Sequence, residues 1–119
     1  MRKSEQKFQT KFGLWVREKW WGGSAAFELK VAKDDEIALS AFRKHQITAL
    51  LAAKRAQVHH KLPDTGYAYK PFDSFVLRRS GAFAVILFAS GAVMIDIEVL
   101  IRQKKWNYKD AVGVGRKLW

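Results

Sequence analysis

The stretch SAAFELKVAK, residues 24–33, places Glu28 two positions before Lys30 in an otherwise apolar run. Successive side chains of a strand point to opposite faces, so on a strand these two opposite charges are neighbours. Burying ionised groups is costly unless they are paired or hold a metal. An edge strand with one solvated face would give the same alternation, however. The pair is therefore a candidate for metal or ion-pair chemistry, and the rest of the chain must support it.

Length and composition predict one folded domain. The chain has 119 residues, of which 49% are hydrophobic and 13% aromatic, enough for a real core. No segment has the roughly 18 uninterrupted apolar residues that a membrane span requires, so we expect no membrane association. Without cysteine the chain offers neither disulfides nor thiolate sites. The basic N-terminus is followed by no apolar signal core, which favours the cytoplasm.

The charge balance predicts a polyanionic partner. The chain has 22 Lys and Arg against 11 Asp and Glu, a net charge of +11. Nucleic acid, ribosome and anionic membrane all fit this balance, and net charge alone does not choose among them.

The elements that would hold the Glu28 and Lys30 pair follow from apolar spacing. Residues 4–20 predict an amphipathic helix with Ser4 as N-cap, and KDDE at 33–36 predicts a solvated acidic turn. A second helix is predicted after Ser40, with Gln46 near its apolar face. We expect His59 and His60 to end that helix in solvent.

The second half of the chain predicts strands. Runs at 72–78, 82–89 and 92–101, separated by Ser-Gly turn signals, predict a meander. The alternation of the last run predicts that Asp96 and Glu98 face water. Residues 102–119 read as a basic, aromatic C-terminal extension of a domain spanning 1–119, with a possible short final helix.

The order of these motifs matters more than any one of them: an acidic residue on a first helix, FELK on a strand, KHQITAL on a second helix, then further strands. This order resembles the restriction-endonuclease-like superfamily of PD-(D/E)xK nucleases, most closely the small Holliday-junction resolvase and RecU-like proteins of phage and bacteria. The resemblance implies an α/β (α+β) fold whose mixed central sheet of about four strands is flanked by helices.

The resemblance also implies Mg²⁺-dependent (or Mn²⁺-dependent) DNA cleavage. Glu28 would bind the metal, and Lys30 would orient water or stabilise the transition state. Gln46 could bond to the Glu28 or Lys30 region or to the substrate; a boundary residue hydrogen-bonded to backbone is the alternative. Glu5 matches a helical glutamate that such nucleases direct at the metal, although a helix N-terminus favours Glu by its dipole alone.

The aspartate that the family places on a strand before E-x-K is absent here. Asp64 and Asp73 are the two possible substitutes. We prefer Asp73, because it opens a strand that could pair beside the Glu28 strand, whereas Asp64 lies in a predicted loop. A turn residue after Pro71 is the alternative for Asp73. If neither carboxylate reaches Glu28, the protein would bind DNA without cutting it.

The implied partner is branched DNA, bound by a homodimer because symmetric junctions need two cuts. A non-catalytic nucleic-acid-binding protein and a structural assembly protein are the alternatives. Large aromatic residues could stack on bases, although core positions are more usual for them; they are Trp20, Trp21, Tyr67, Tyr69 and Trp106. The expected DNA-binding residues are Arg43, Lys44, Lys33, His45, Lys54, Arg78 and Arg79.

Overall fold

The computed structural model describes residues 3–21, 23–55, 58–61, 74–77 and 81–119. In these ranges a four-stranded sheet is accompanied by two two-stranded sheets. The elements in chain order are α1 Lys3–Lys19, β1 Ala25–Val31, β2 Glu36–Ala38, a 3-10 turn Leu39–Ala41, α2 Lys44–Arg55, β3 Val58–Lys61, β4 Ser74–Leu77, β5 Gly81–Phe88, β6 Gly91–Asp96, α3 Ile97–Leu100, β7 Lys105–Asn107, α4 Tyr108–Val114 and β8 Arg116–Lys117.

The main sheet is mixed. Strand β1 runs parallel to β5, with Glu28 opposite Ala84, as expected for strands joined through an intervening helix. Strands β5 and β6 form an antiparallel hairpin, and β8 adds to β6 in the antiparallel sense. The expected α+β architecture, with a mixed four-stranded sheet flanked by helices, is confirmed.

Strand β1 lies at one edge of this sheet. The Gly81 N–H donates to the Ser24 carbonyl, and the Ala32 N–H donates to the Leu87 carbonyl. Because a parallel ladder uses alternate residues of a strand, the even-numbered residues of β1 bond to β5. The backbone groups of Leu29, between Glu28 and Lys30, therefore point away from β5 toward the strand's outer edge.

Helices cover both faces of the sheet. Helix α1 packs on one face through a buried aromatic stripe of Phe8, Phe12 and Trp15, which confirms the apolar spacing of the first predicted helix. The other face carries Ala82 and Ala84, both fully buried under the cluster that includes α2. Such small residues let a helix approach a sheet closely, and this approach brings α2 to the charged residues of β1.

Two predictions about the middle of the chain are wrong. Helix α2 is described to Arg55, and His59 and His60 lie in β3 rather than at the helix end. Strand β4 pairs with β3 and not with β5, so the three predicted strands form no meander. Local patterns identify strands but leave their partners open, because pairing depends on contacts distant in sequence.

The last predicted strand is also too long. It ends at Asp96, whose side chain accepts a 2.8 Å hydrogen bond from the Glu98 N–H and caps α3. An Asp in the N-cap position satisfies a backbone donor that a helix start leaves open. The apolar run therefore contains both the end of β6 and the whole of α3. Apolar periodicity alone did not show where the strand ends and the helix begins.

Residues 102–119 belong to the fold and are not an extension. Strand β7 pairs with β2, β8 pairs with β6, and the Trp106 side chain is 2% exposed. The predicted short final helix is confirmed as α4. Within the described ranges, no helix has the length and apolar character to cross a membrane.

Candidate active site

Strand β1 places Glu28 and Lys30 on one face, as the alternation predicts. The Lys30 Nζ lies 3.6 Å from Glu28 Oε1, and the two side chains are 23% and 29% exposed. They are withdrawn from bulk water but remain reachable. A pair this accessible contributes little to stability. Because β1 is an edge strand, the pair also fits the alternative of a strand with one solvated face.

Gln46 on α2 joins this pair. Its Nε2 donates a 2.9 Å hydrogen bond to Glu28 Oε1, and its Oε1 accepts one of 2.9 Å from the Arg43 N–H. The backbone N–H can only donate, so the amide oxygen must face Arg43 and the amide nitrogen must face Glu28. The contact from Gln46 back to Arg43 is one half of a capping box at the start of α2. Helix capping therefore orients Gln46 toward Glu28, and the expected proximity of Gln46 to Glu28 is confirmed.

Helix α2 is attached to the sheet at both ends along one stripe, since Gln46, Leu50 and Lys54 recur every four residues. Leu50 is buried between the two polar anchors. At the far end, Lys54 Nζ lies 2.7 Å from both carboxylate oxygens of Asp96 and 3.4 Å from Glu98 Oε2. The second anchor thus fixes how α2 lies over β1.

These contacts correct the expected role of Lys54 as a phosphate ligand, because its ammonium is bonded to carboxylates. The hydrogen bonds to Asp96 raise the pKa of Lys54 above its usual value; burial opposes the rise, and the negative charges of Asp96 and Glu98 support it. Asp96 and Glu98 keep side chains that are 30% and 40% exposed, so they do reach water as expected, but both carboxylates also pair with Lys54.

Phe42 underlies the lysine. Lys30 Nζ lies 5.8 Å from the centroid of the Phe42 ring, within the range of a cation–π contact, and Phe42 is only 3% exposed. Helical spacing predicts Phe42 on the second helix, but Phe42 follows the 3-10 turn and precedes α2, which begins at Lys44. No pattern in the sequence indicates its contact with Lys30. Glu28 and Phe42 together hold the ammonium over the sheet face.

The Glu28 carboxylate and the backbone carbonyl of Leu29 are the oxygen donors that β1 offers at this position. The Gln46 and Lys30 contacts both involve Glu28 Oε1, leaving Oε2 for another partner, and the Leu29 carbonyl faces the strand's outer edge. Mg²⁺ prefers oxygen ligands, keeps several waters, and is commonly held by one or two carboxylates plus substrate phosphates. In the described part of the chain, no group of three His, Cys, Asp or Glu side chains forms a complete metal cage.

Glu5 lies on the opposite side of β1 from Glu28. It borders a cavity of about 210 Å³ together with Phe8, Leu29, Lys30 and Val31, on the face where α1 packs. Among the described residues, no hydrogen bond or ion pair joins Glu5 to the Glu28 cluster. Glu5 and Lys30 border the same cavity, and the expected metal contact of Glu5 stays a prediction.

Several expected site residues lie outside the described residues, namely Asp64, Tyr67, Tyr69, Asp73, Arg78 and Arg79. The reasoning that favoured Asp73 is partly corrected, because the strand that follows it, β4, pairs with β3 and not with β1. The position of the Asp73 carboxylate itself stays a prediction.

The remaining basic candidates are exposed. Arg43, Lys44 and His45 lie at the start of α2, and Lys33 follows β1 at a turn. Their exposure is compatible with phosphate contacts. The described aromatic candidates differ: Trp106 is buried in the core and Trp20 packs on Phe27, whereas Trp21 is 89% exposed.

Comparisons with known proteins give no matching family model and no significantly similar curated protein or solved structure.

Proposed function

We propose that this protein is a Mg²⁺-dependent DNA endonuclease of the restriction-endonuclease-like type, acting on branched DNA. The observation that carries the proposal is the joining of the Glu28 carboxylate, the Lys30 ammonium and the Gln46 amide on one half-exposed sheet face. These are residue types that phosphodiester hydrolysis can use; Glu28 and Lys30 come from β1, and the fold brings Gln46 to them from α2.

Glu28 and the Leu29 carbonyl would hold the metal, with substrate phosphate oxygens and water completing its ligands. When bound, Mg²⁺ polarises the scissile phosphate and lowers the pKa of the attacking water. Gln46 fixes the Glu28 carboxylate by a hydrogen bond to Oε1, so that Oε2 keeps one orientation. Such preorganisation avoids rearrangement during the reaction.

Lys30 acts on the charge that develops at phosphorus. In hydrolysis the water oxygen bonds to phosphorus, the P–O ester bond breaks, and the leaving oxygen takes up a proton. The Lys30 ammonium, held between Glu28 and the Phe42 ring, would orient the water or stabilise the added negative charge. Its two contacts restrict its motion while leaving donor capacity for substrate, since an ammonium has three N–H groups.

DNA binding would rest on the net charge of +11 and on exposed basic side chains next to the site. Arg43 and Lys44 lie directly before and at the start of α2, within a few residues of Gln46. Phosphate contacts of this kind position a protein on DNA without reading sequence. A homodimer would allow paired cuts in a symmetric junction, and the proposal places the protein with DNA in the cytoplasm.

Incubation of the purified chain with linear duplex, single-stranded, flap and four-way DNA, in Mg²⁺ or in EDTA, tests the proposal. We expect Mg²⁺-dependent cleavage of the branched substrates and none in EDTA. Absence of cleavage of every substrate in both Mg²⁺ and Mn²⁺ would refute the nuclease function.

A non-catalytic nucleic-acid-binding protein is the second candidate. It is favoured by the single carboxylate that contacts Lys30 among the described residues. Salt-sensitive DNA binding without cleavage would support it, because phosphate contacts release counterions whether or not the strand is cut.

A further inference from the structure

A second concave surface borders the Glu28 cluster. It has a volume of about 630 Å³ and lies where the 3-10 turn meets the start of α2, within the size range of small-molecule sites. We call it the α2 pocket; it is lined by Leu39, Phe42, Lys44, Ile47, Thr48 and Lys104.

The α2 pocket combines apolar side chains with positive charge. Leu39 and Ile47 supply partly exposed apolar surface beside the buried Phe42, while Lys44 and Lys104 are exposed cations at its rim. None of the described residues that line it is acidic. A ligand that matches must therefore combine a flat or apolar body with negative charge, as a nucleotide does with its base and phosphate.

The distant Lys104 reaches the pocket because of a backbone contact. The Leu39 N–H donates a 2.7 Å hydrogen bond to the Lys104 carbonyl, beside the β2-β7 pair. The neighbouring Lys105 differs, since its Nζ lies 3.5 Å from Glu36 Oε1 and it does not line the pocket. Lys104 therefore lines the pocket, whereas the adjacent Lys105 pairs with Glu36 outside it.

Phe42 connects the pocket to the Glu28 cluster. Phe42 is one of the residues that line the pocket, and its ring centroid lies 5.8 Å from Lys30 Nζ. A DNA strand whose phosphate lies at Lys30 would present a neighbouring nucleotide to the pocket. A base inside a duplex is stacked and paired, so only an unpaired or extruded base would enter.

We infer that the α2 pocket binds the base of an unpaired nucleotide adjacent to the phosphate that is cut. This inference rests on the proposed function and narrows its substrate class: DNA with unpaired bases beside the branch point, such as flaps and splayed arms, binds better than fully paired DNA.

The test is binding of the full chain to fluorescent oligonucleotides in EDTA, where no cleavage interferes. Oligothymidine is compared with an abasic strand of equal length and charge. We expect oligothymidine to bind about fivefold tighter or more, as stacking of one base allows. Equal affinity for the two strands would overturn the inference.

Two matched pairs of variants locate the effect. Thr48→Phe fills the pocket from its exposed rim and should abolish the preference for bases, whereas Thr10→Phe, at an exposed position of α1, should keep it. Lys104→Ala should weaken oligothymidine binding severalfold more than Lys105→Ala. If Thr48→Phe keeps the preference for bases, the α2 pocket is not the base-binding site. Equal losses of affinity in the two lysine variants would lead to the same conclusion. If Thr48→Phe fails to fold, the comparison of the two lysine variants decides.

The nuclease proposal fails separately. Base preference in EDTA combined with no Mg²⁺-dependent cleavage would keep the pocket and remove the catalytic function. Mg²⁺-dependent cleavage without any base preference would support the catalytic function and refute base binding in the α2 pocket.

Discussion

Gln46 Nε2 donates a 2.9 Å hydrogen bond to Glu28 Oε1, so a residue that caps α2 also orients the carboxylate of β1. The helix start and the candidate active site are therefore coupled. Any change at Gln46 acts on both unless the substitution keeps one of the two hydrogen bonds.

Two substitutions at Gln46 separate these roles. Gln46→Glu keeps an acceptor for the Arg43 N–H but loses the donor to Glu28 and adds a like charge. We expect it to retain most of the stability while cleavage falls by about 100-fold, as for removal of one preorganised donor. Gln46→Ala should also lower the free energy of unfolding by about 1 kcal/mol. Urea unfolding and single-turnover cleavage measure the two effects, and full activity in Gln46→Glu would show that the hydrogen bond to Glu28 is dispensable.

Lys54 should stabilise the fold in a pH-dependent way. Its folded-state pKa is raised above the ordinary 10.5, so its contribution is fully present below pH 10.5 and is lost as the pH rises through the folded value. Lys54→Met should lower the free energy of unfolding by about 1 kcal/mol at pH 7, and this difference should shrink at higher pH. Urea unfolding of Lys54→Met between pH 7 and pH 11 measures it, with exposed Lys44→Met as control. A difference that grows with pH would contradict the assignment.

Arg43 and Lys44 should contact phosphates. Their joint replacement by Ala should weaken binding to all DNAs similarly and reduce the slope of log affinity against log salt by about 1 for each phosphate that is no longer neutralised. Anisotropy titrations at several salt concentrations measure the slope, and the Lys7→Ala, Lys109→Ala double variant serves as a charge-matched control. An unchanged slope would place the DNA footprint elsewhere.

Asp73 remains the predicted second carboxylate. Asp73→Asn should abolish Mg²⁺-dependent cleavage, because one carboxylate positions the ion poorly, while Asp64→Asn should keep most of the activity. Single-turnover cleavage rates of the two variants decide between them. Normal cleavage by Asp73→Asn would show that Asp73 does not bind the metal. The second carboxylate would then have to come from another residue.

The sequence predicted local geometry well and distant pairing poorly. Strand alternation placed Glu28 beside Lys30, and helical spacing placed Gln46 on the face that meets them, because both periods are properties of the backbone. The meeting of Lys54 with Asp96 and the arrival of Lys104 beside Leu39 depend on tertiary packing. No spacing in the sequence encodes them directly.

The boundary errors have the same origin. The run 92–101 is apolar enough for a strand throughout, yet Asp96 ends the strand by capping α3. The tail reads as basic and exposed, yet Trp106 is part of the core, where its Nε1–H donates to the Leu100 carbonyl at 2.9 Å. In both cases one residue, Asp96 or Trp106, determines the local structure through a hydrogen bond that composition does not reveal.

The most direct test of the account is single-turnover cleavage of branched DNA in Mg²⁺ by Glu28→Gln and Lys30→Ala, with Glu36→Gln as a matched control away from the site. Glu28→Gln keeps an acceptor for Gln46 but loses the charge that holds the metal. We predict that both site variants fold, bind DNA in EDTA like the unaltered protein, and cleave at least about 100-fold more slowly, whereas Glu36→Gln cleaves normally. Cleavage by Glu28→Gln or Lys30→Ala at the rate of the unaltered protein would contradict the assignment of this site.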